Sequence, residues 1–228
     1  MSYPLTALFL LSSLTFAQDD LPAYEDLVPD VPSYTTAKKR MYLVNKGSST
    51  LYCGCEWADK EPNLSTCGLD GFTGTRWERT EAEHVVPASV IGSTRPCWEE
   101  GGKSHCLKVD PVFEAAHNDL HNFRPTVGQI NLYRSNNSMG LIADEEREYG
   151  SCDFEVDVEA DRVEPRPEVR GNIARIYFYM EWMYGIPISE GQRRLFLHWH
   201  QTDPVDEAER LLDEAIEDKQ GNSNPFVR

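Results

Sequence analysis

Apolar residues in the C-terminal third of the chain follow the spacing of packed helices. In GNIARIYFYMEWMYG they recur at intervals of three and four, at Ile173, Ile176, Tyr177, Met180 and Met183. This periodicity places an apolar stripe along one face of a helix that packs against a core. Ser189 can cap a second helix, EGQRRLFLHWHQ, and Asp203 with Pro204 begins a third that Gly221 ends. We therefore predict a helical C-terminal third.

Shorter and mixed patterns fill the rest of the chain. TRWERTEAEHVV predicts a strand pair or a bent strand, and DPVFEAAHNDLHNF predicts a short helix capped by Asp110 with Pro111 in its first turn. CWEEGGKSHC, with two adjacent glycines, predicts a loop. We expect a helix or turn before LYCGCEW and an irregular lead-in over residues 18–40. No linker divides these elements, so we predict one domain over residues 18–228.

The first seventeen residues, MSYPLTALFLLSSLTFA, carry no charged side chain and contain an apolar run from Leu8 to Leu11. Thr15 and Ala17 precede the polar QDD in the way that small residues precede a signal-peptidase site. The run is too short to span a bilayer, and no later segment reaches about 18 apolar residues. We predict a secreted or periplasmic protein with a signal peptide over residues 1–17 and no membrane span. A buried N-terminal helix is the alternative.

The chain of 228 residues carries a net charge of −16, and the charge is unevenly placed. Residues 135–228 contain ten basic and twenty-one acidic side chains, whereas residues 76–134 contain seven and eight. An acidic surface disfavours a polyanionic partner, because steering toward phosphate requires positive charge. The segment 76–134 is therefore the part of the chain that would tolerate a phosphate.

Six cysteines follow the predicted signal: Cys53, Cys55, Cys67, Cys97, Cys106 and Cys152. An even number in an exported chain favours three disulfides, although the sequence leaves about fifteen pairings open. We expect Cys53 and Cys55 to bond to other partners, while Cys97 and Cys106 are placed to close a loop. Zinc is the alternative, but a CxC pair without CxxC spacing is a weak zinc pattern.

Glu83 and His84 lie where a polar stretch becomes apolar, in ERTEAEHVVPAS. Neighbouring side chains of a strand point to opposite faces, so this pair can flank a group placed at the strand end. Hydrolysis of a phosphodiester needs a base, for which histidine is suited, and a hard cation that neutralises developing charge. One carboxylate and one amide would hold Mg²⁺ and leave positions open on it. A lone Glu-His pair is more often a solvated strand end, so other motifs must decide.

The segment NDLHNFRPTVGQINLYRSNNS, residues 118–138, contains two candidates for the amide. Asn122 and Asn131 bracket a proline-containing turn that leads into a helix, where Asn131 and Arg134 share a face. Asn122 has a second interpretation, in which it fixes the strand-end backbone beside His84 through hydrogen bonds. Arg134 is either a phosphate contact or a member of a surface ion pair.

Four segments, in this order, resemble the bacterial secreted and periplasmic endonuclease I family: EHVVPA, DLHNFRPTVGQIN with RSN, VEPRPEVRGNIARIYFYM and QGNSNPFV. The resemblance covers most of residues 50–228. It implies an α+β fold, a single mixed domain built around a ββα-metal (His-Me finger) motif. It also implies a Mg²⁺-dependent nuclease of low sequence preference that cuts DNA, and RNA as well, to 5′-phosphate ends. Ca²⁺ and Mn²⁺ are other candidate ions, and we expect a monomer.

Carried over by motif position, the resemblance implies a general base and two metal ligands. His84 would be the base, and Glu83 with Asn131 would hold the metal. Asn122 takes the place of the asparagine that precedes the motif helix in related ββα-metal nucleases. Three residue types that suit this chemistry thus fall within the segment of nearly neutral charge.

The family arginine near the scissile phosphate has a lysine in its place here. Lys103, in EEGGKSHC, brings the charge without the bidentate fork of a guanidinium. Arg124 and Arg134 are further candidates for holding phosphate. The resemblance predicts a phosphate contact at Lys103, and positive charge predicts one at Arg124 and Arg134.

Two further departures from the family keep other hypotheses open. Ala82 stands where tryptophan is common, and His117 with Asn118 stands where Glu-Ala is common. Lys103 and the loss of the flanking acidic residue keep open a first alternative, a catalytically weak or inactive secreted protein that binds nucleic acid on the same scaffold. The second is a zinc hydrolase centred on His117 and His121, four residues apart, although no HExxH pattern is present.

Overall fold

The structure, a computed structural model, describes residues 30, 33–143 and 147–228, and the predicted signal peptide over residues 1–17 lies outside these. Short 3-10 turns and loops connect the elements. In chain order the helices and strands are α1 (Tyr34–Val44), β1 (Trp57–Ala58), β2 (Glu61–Pro62), β3 (Thr80–His84), α2 (Ala88–Gly92), α3 (Pro96–Val109), α4 (Pro111–Asn118), β4 (Phe123–Val127), α5 (Gly128–Arg134), β5 (Ser138–Met139), β6 (Phe154–Asp157), β7 (Arg162–Pro165), α6 (Arg170–Tyr184), α7 (Glu190–Thr202) and α8 (Glu207–Gln220). The predicted α+β class is confirmed.

Strands β3 and β4 form an antiparallel pair, and α5 follows β4 without a connecting residue. His84 pairs with Phe123 at one end of the ladder, and Thr80 pairs with Val127 at the other. Gly128 starts α5, where an added Cβ would lie 2.7 Å from a backbone oxygen of the turn before β3. A glycine therefore lets the helix begin close against the strand pair. This β3–β4–α5 unit has the order strand, strand, helix that the resemblance implies.

The C-terminal third is helical, as its apolar spacing predicts. The stripe on α6 is buried, and the neighbouring rings of Tyr177, Phe178 and Tyr179 belong to the core. Ser189 caps α7 by accepting a hydrogen bond from the backbone, and Gly221 ends α8 in the left-handed region. The predicted start of α8 is wrong, because Asp206 and not Asp203 caps it.

Three disulfides join the six cysteines, which confirms their predicted number. Cys53 bonds to Cys152, Cys55 to Cys67 and Cys97 to Cys106. The first bridge spans 99 positions and ties the segment after α1 to the sheet in which β5 and β6 flank β7. A thiolate zinc site is therefore excluded for these six residues.

The buried apolar residues include two hydrophobic clusters. The larger cluster contains the α6 stripe, and the smaller one joins α1, β4 and α8 through Met41, Phe123 and Ile216. All three of these side chains are fully buried, and burial of one such side chain contributes about 1.5–3 kcal/mol. Strand β4 therefore contributes to both clusters, to the larger one through Val127 and to the smaller one through Phe123.

Two sequence predictions fail at glycine-rich or polar stretches. CWEEGGKSHC lies in α3 and not in a loop, although the helix is interrupted at Gly101 and Gly102, the latter with a φ of 62°. The lead-in predicted for residues 18–40 is helical from Tyr34, where Ser33 caps α1.

Within the described residues, no helix has both the length and the apolar content needed to cross a membrane.

Candidate active site

His84 ends β3, and its ring is oriented by a carbonyl group from a neighbouring helix. The Nε2 atom lies 2.8 Å from the backbone oxygen of His117, near the end of α4. A carbonyl oxygen only accepts hydrogen bonds, so Nε2 must carry the ring proton. In the neutral imidazole, Nδ1 is then the unprotonated nitrogen that can accept a proton.

Aromatic rings surround the imidazole of His84. Phe123 and His117 lie at ring-centroid distances of 4.3 and 4.4 Å, and Tyr34 lies nearly parallel at 6.1 Å. Burial, with the neighbouring His117 as the next cause, lowers the pKa of His84 to about 3, and the charge of Lys103 adds to this effect. The free imidazole is therefore neutral at physiological pH.

Glu83 is buried, with 3 % of its surface exposed, and two groups hold one of its oxygens. Tyr52 donates its hydroxyl proton to Oε1 at 2.6 Å, and Nε of Arg134 lies 3.2 Å from the same atom. Burial raises the pKa of Glu83, while Arg134 and the hydrogen bond from Tyr52 oppose that rise. The contacts on Oε1 leave Oε2 as the oxygen for a cation.

Asn131 lies on α5 and donates from Nδ2 to the carboxylate of Glu81 at 3.0 Å. Its oxygen, Oδ1, is therefore the end of the amide that remains for a ligand. Glu83, His84 and Asn131 line one open cavity of about 410 Å³, and the other lining residues are Ala82, Pro87, Ala88, Ser89, Ser135 and Asn136. The fold thus brings all three predicted residues together around one space.

Asn122 occupies the second role considered for it and fixes the chain beside His84. Its Oδ1 accepts from the backbone N–H of Val86 at 2.7 Å, and its Nδ2 donates to the Val86 carbonyl at 3.0 Å. The Asn122 carbonyl also accepts from the Val85 backbone. These three bonds join the segment after β3 to the start of β4.

The two arginines predicted to hold phosphate are used inside the protein. Arg134 is 1 % exposed and donates to the carbonyls of Val85 and Ser135, in addition to its pairing with Glu83. Arg124 donates through Nη1 to the carbonyl of Phe123 at 2.7 Å and of His121 at 3.2 Å. Arg134 therefore supports the Glu83 carboxylate, and its burial does not fit the phosphate role. Arg124 is likewise occupied by its own contacts with backbone carbonyls.

Lys103 follows the glycine interruption of α3 and is exposed. Burial is the largest cause that lowers the pKa of both His84 and His117, and the positive charge of Lys103 lowers both further. The ammonium group therefore acts electrostatically on the side of the cavity where His84 lies. This placement suits a cation that meets a phosphate, which remains a prediction.

His117 and His121 do not form a pair. Helix α4 ends at Asn118, so the two rings are not on one helix face. His117 packs against His84, whereas His121 bonds through Nε2 to the Asn222 carbonyl and packs against Tyr179. The zinc hypothesis for these two residues is wrong.

The donor set around the cavity fits a hard divalent cation. A carboxylate oxygen of Glu83 and the amide oxygen of Asn131 are the ligand types that Mg²⁺, Mn²⁺ and Ca²⁺ accept. Among the described residues, no group of three or more His, Cys, Asp or Glu side chains is placed to hold a metal ion. A site with only two protein ligands keeps positions open for water and phosphate.

The sequence motifs do not predict three residues that contact Glu83 or His84. Tyr52 and Tyr34 come from segments far from Glu83 in the chain, and His117 acts through its backbone carbonyl, so no local pattern marks them. Glu81 did carry a signal, because residues two apart in a strand face the same side. That spacing places Glu81 beside Glu83 on the face that meets α5.

This chain is similar to known proteins over most of its length. A family model described as Endonuclease I matches residues 27–228. Endonuclease-1 of Buchnera aphidicola subsp. Acyrthosiphon pisum is 39% identical over 203 residues, which cover 86% of this chain and 81% of that protein. An extracellular deoxyribonuclease of Aeromonas hydrophila is 35% identical over 213 residues, covering 90% and 91%. A periplasmic deoxyribonuclease of the same species is 38% identical over 191 residues, covering 81% and 80%.

Proposed function

Since this chain belongs to the endonuclease I family, we propose that it is an exported endonuclease that hydrolyses phosphodiester bonds of DNA and RNA with the help of a divalent cation. Similar proteins named as extracellular and periplasmic deoxyribonucleases support export and DNA as a substrate. The observation that carries the proposal is the shared cavity of Glu83, His84 and Asn131.

His84 is the proposed general base. Its Nδ1 takes a proton from a water molecule, because the bond to the His117 carbonyl keeps the other proton on Nε2. The low pKa of the free ring would make it a weak base, but a bound anionic phosphodiester favours the imidazolium and raises that pKa. The base therefore becomes stronger when the substrate is in place.

The bond changes follow from attack by this water on phosphorus. A new oxygen–phosphorus bond forms, the bond from phosphorus to the 3′ oxygen breaks, and the 3′ oxygen takes a proton from a second water molecule. The hydroxide that remains is neutralised when His84 releases the proton it took from the attacking water. The products carry a 5′-phosphate and a 3′-hydroxyl. Glu83 and Asn131 would hold Mg²⁺, which when bound supplies neutralisation of the charge that develops on the phosphate and the leaving oxygen.

The proposal is tested by degradation of plasmid DNA and of RNA with Mg²⁺ and with EDTA. Replacing the base in His84→Ala should lower the rate by about 10²–10⁴-fold. His198→Ala, an exposed histidine on α7, is the matched control and should leave the rate unchanged. An unimpaired His84→Ala variant would refute the assignment of the base. Binding of DNA without cleavage by the unmodified protein would favour the binding-only alternative.

A further inference from the structure

Glu81 is the most completely bonded carboxylate beside the cavity. Its Oε1 accepts two hydrogen bonds from Arg79, at 2.9 and 2.7 Å. Its Oε2 accepts from Arg76 at 2.6 Å and from Nδ2 of Asn131 at 3.0 Å. Four N–H donors therefore occupy the two oxygens of Glu81.

The bond to Asn131 decides which end of that amide faces the cavity. The nitrogen and oxygen of an asparagine side chain exchange places by a half-turn, and only the oxygen can hold a metal ion. An ionised carboxylate only accepts, so Glu81 draws the nitrogen toward itself and leaves Oδ1 on the other side. The orientation of the predicted ligand thus depends on a neighbour that does not line the cavity.

The surrounding chain holds Glu81 in this place. Arg76 donates through Nε to the Gly128 carbonyl as well as through Nη2 to Glu81, and so bridges the strand and the start of α5. A Cβ at Gly128 would lie 3.1 Å from the Glu81 carboxylate. A side chain at position 128 would crowd both this carboxylate and the Arg76 carbonyl, which lies 2.7 Å from the added Cβ, so glycine favours the close approach of α5 to Glu81.

We infer that Glu81 is a positioning residue of the cation site, which orients the Asn131 amide through a hydrogen bond from Nδ2. The inference rests on the proposed function, in which Asn131 holds the cation. Groups that orient metal ligands commonly change metal affinity by about 10–100-fold when they are removed. Loss of the acceptor at position 81 should therefore weaken cation binding by that factor.

The experiment measures Mn²⁺ binding to the purified full chain by titration calorimetry, without substrate. Glu81→Ala removes the acceptor and should weaken binding by about 10–100-fold. Glu81→Gln should lose far less, because its carbonyl can still accept from Asn131 while its amide turns toward Arg79, a side chain that is 47% exposed. Glu78→Ala removes an exposed carboxylate of the preceding turn and should bind as the unmodified protein does.

A double variant tests orientation itself. In the double variant Glu81→Ala with Asn131→Asp, the side chain at position 131 has two equivalent oxygens, so either orientation presents an oxygen to the cation. Mn²⁺ affinity should therefore return toward that of the unmodified protein. Glu81→Val, with a β-branched residue suited to a strand, replaces the alanine variant if that variant does not fold. Thermal unfolding of each apo variant separates loss of orientation from loss of structure.

The outcomes separate this inference from the proposed function. If the unmodified protein binds no Mn²⁺, the cation site of the proposed function is wrong. If the unmodified protein binds Mn²⁺ and Glu81→Ala binds it equally well, the positioning role alone is overturned. Equal losses in the glutamine and alanine variants would also overturn it, because they would assign the effect to charge and not to the hydrogen bond.

Discussion

The buried phenol of Tyr52 makes the ionisation of Glu83 sensitive to a single hydroxyl. Glu83 must be ionised to hold a cation, burial raises its pKa, and the bond from Tyr52 opposes that rise. Tyr52→Phe removes a hydrogen bond to a charged group, worth about 1.5–3 kcal/mol. The pKa of Glu83 should rise further, so the acidic limb of the pH–rate profile should move to higher pH by about one to two pH units.

The measurement is the pH dependence of cleavage at a fixed, subsaturating Mg²⁺ concentration. Tyr133→Phe, which alters a phenol that is 37% exposed on α5, is the control and should leave the acidic limb in place. An acidic limb that does not move in Tyr52→Phe would show that another group controls it. A move to lower pH would contradict the sign of the argument.

At the scale of single residues, the sequence predicts which side chains share the cavity better than it predicts the residues that support them. Glu83, His84 and Asn131 share a cavity because their motifs fix them at the ends of a strand and on a short helix. Arg134 shows why the supports are harder to predict. The spacing of three residues between Asn131 and Arg134 correctly places both on one helix. Whether the Arg134 guanidinium meets solvent or a buried carboxylate depends instead on strands that are distant in the sequence.

Helix α3 shows how an element can differ from its local sequence signal. Two adjacent glycines favour a loop, and Gly102 does adopt a positive φ, yet helix continues on both sides of the interruption. The disulfide between Cys97 and Cys106 links the two halves, nine positions apart. Loop propensity therefore gives way to a covalent constraint and to packing that the segment alone does not reveal.

This bridge gives a prediction for the element that carries Lys103. Closing a loop of this size lowers the entropy of the unfolded chain, and the chain-entropy relation gives about 2.5–3 kcal/mol. Cys97→Ala with Cys106→Ala should lower the free energy of unfolding by about that amount, measured in urea. The rate of cleavage should also fall if Lys103 meets the phosphate, because the bridge holds the half of α3 that carries Lys103. Unchanged stability would show that packing alone holds the two halves of α3 together.

At the scale of the whole molecule, the acidic excess lies mostly in the part of the sequence that follows the β3–β4–α5 unit. The β3–β4–α5 unit lies within the nearly neutral residues 76–134, while residues 135–228 carry eleven more acidic than basic side chains, ten against twenty-one. A nucleic acid that reaches the cavity must therefore approach a molecule whose net charge is −16. The sequence predicted this distribution fully, since counting charges requires no knowledge of the fold.

The consequence is an expected dependence on salt. Added salt weakens the attraction between the DNA phosphates and Lys103. It also screens the repulsion between DNA and the acidic helices, which acts over longer distances. Because the repulsive charges are more numerous, cleavage of DNA should hold steady or rise as NaCl is increased from low concentration. Initial rates at a constant Mg²⁺ concentration measure this profile.

A variant with fewer surface acids tests that explanation. Glu207→Gln, Glu214→Gln and Asp218→Asn together remove three exposed negative charges from α8 without touching the cavity. This variant should cleave faster than the unmodified protein at low salt, and the two rates should converge as NaCl rises, since screening removes the difference between them. A steep fall in the unmodified protein's activity from low salt would instead mean that local attraction to the phosphate outweighs repulsion by the acidic surface.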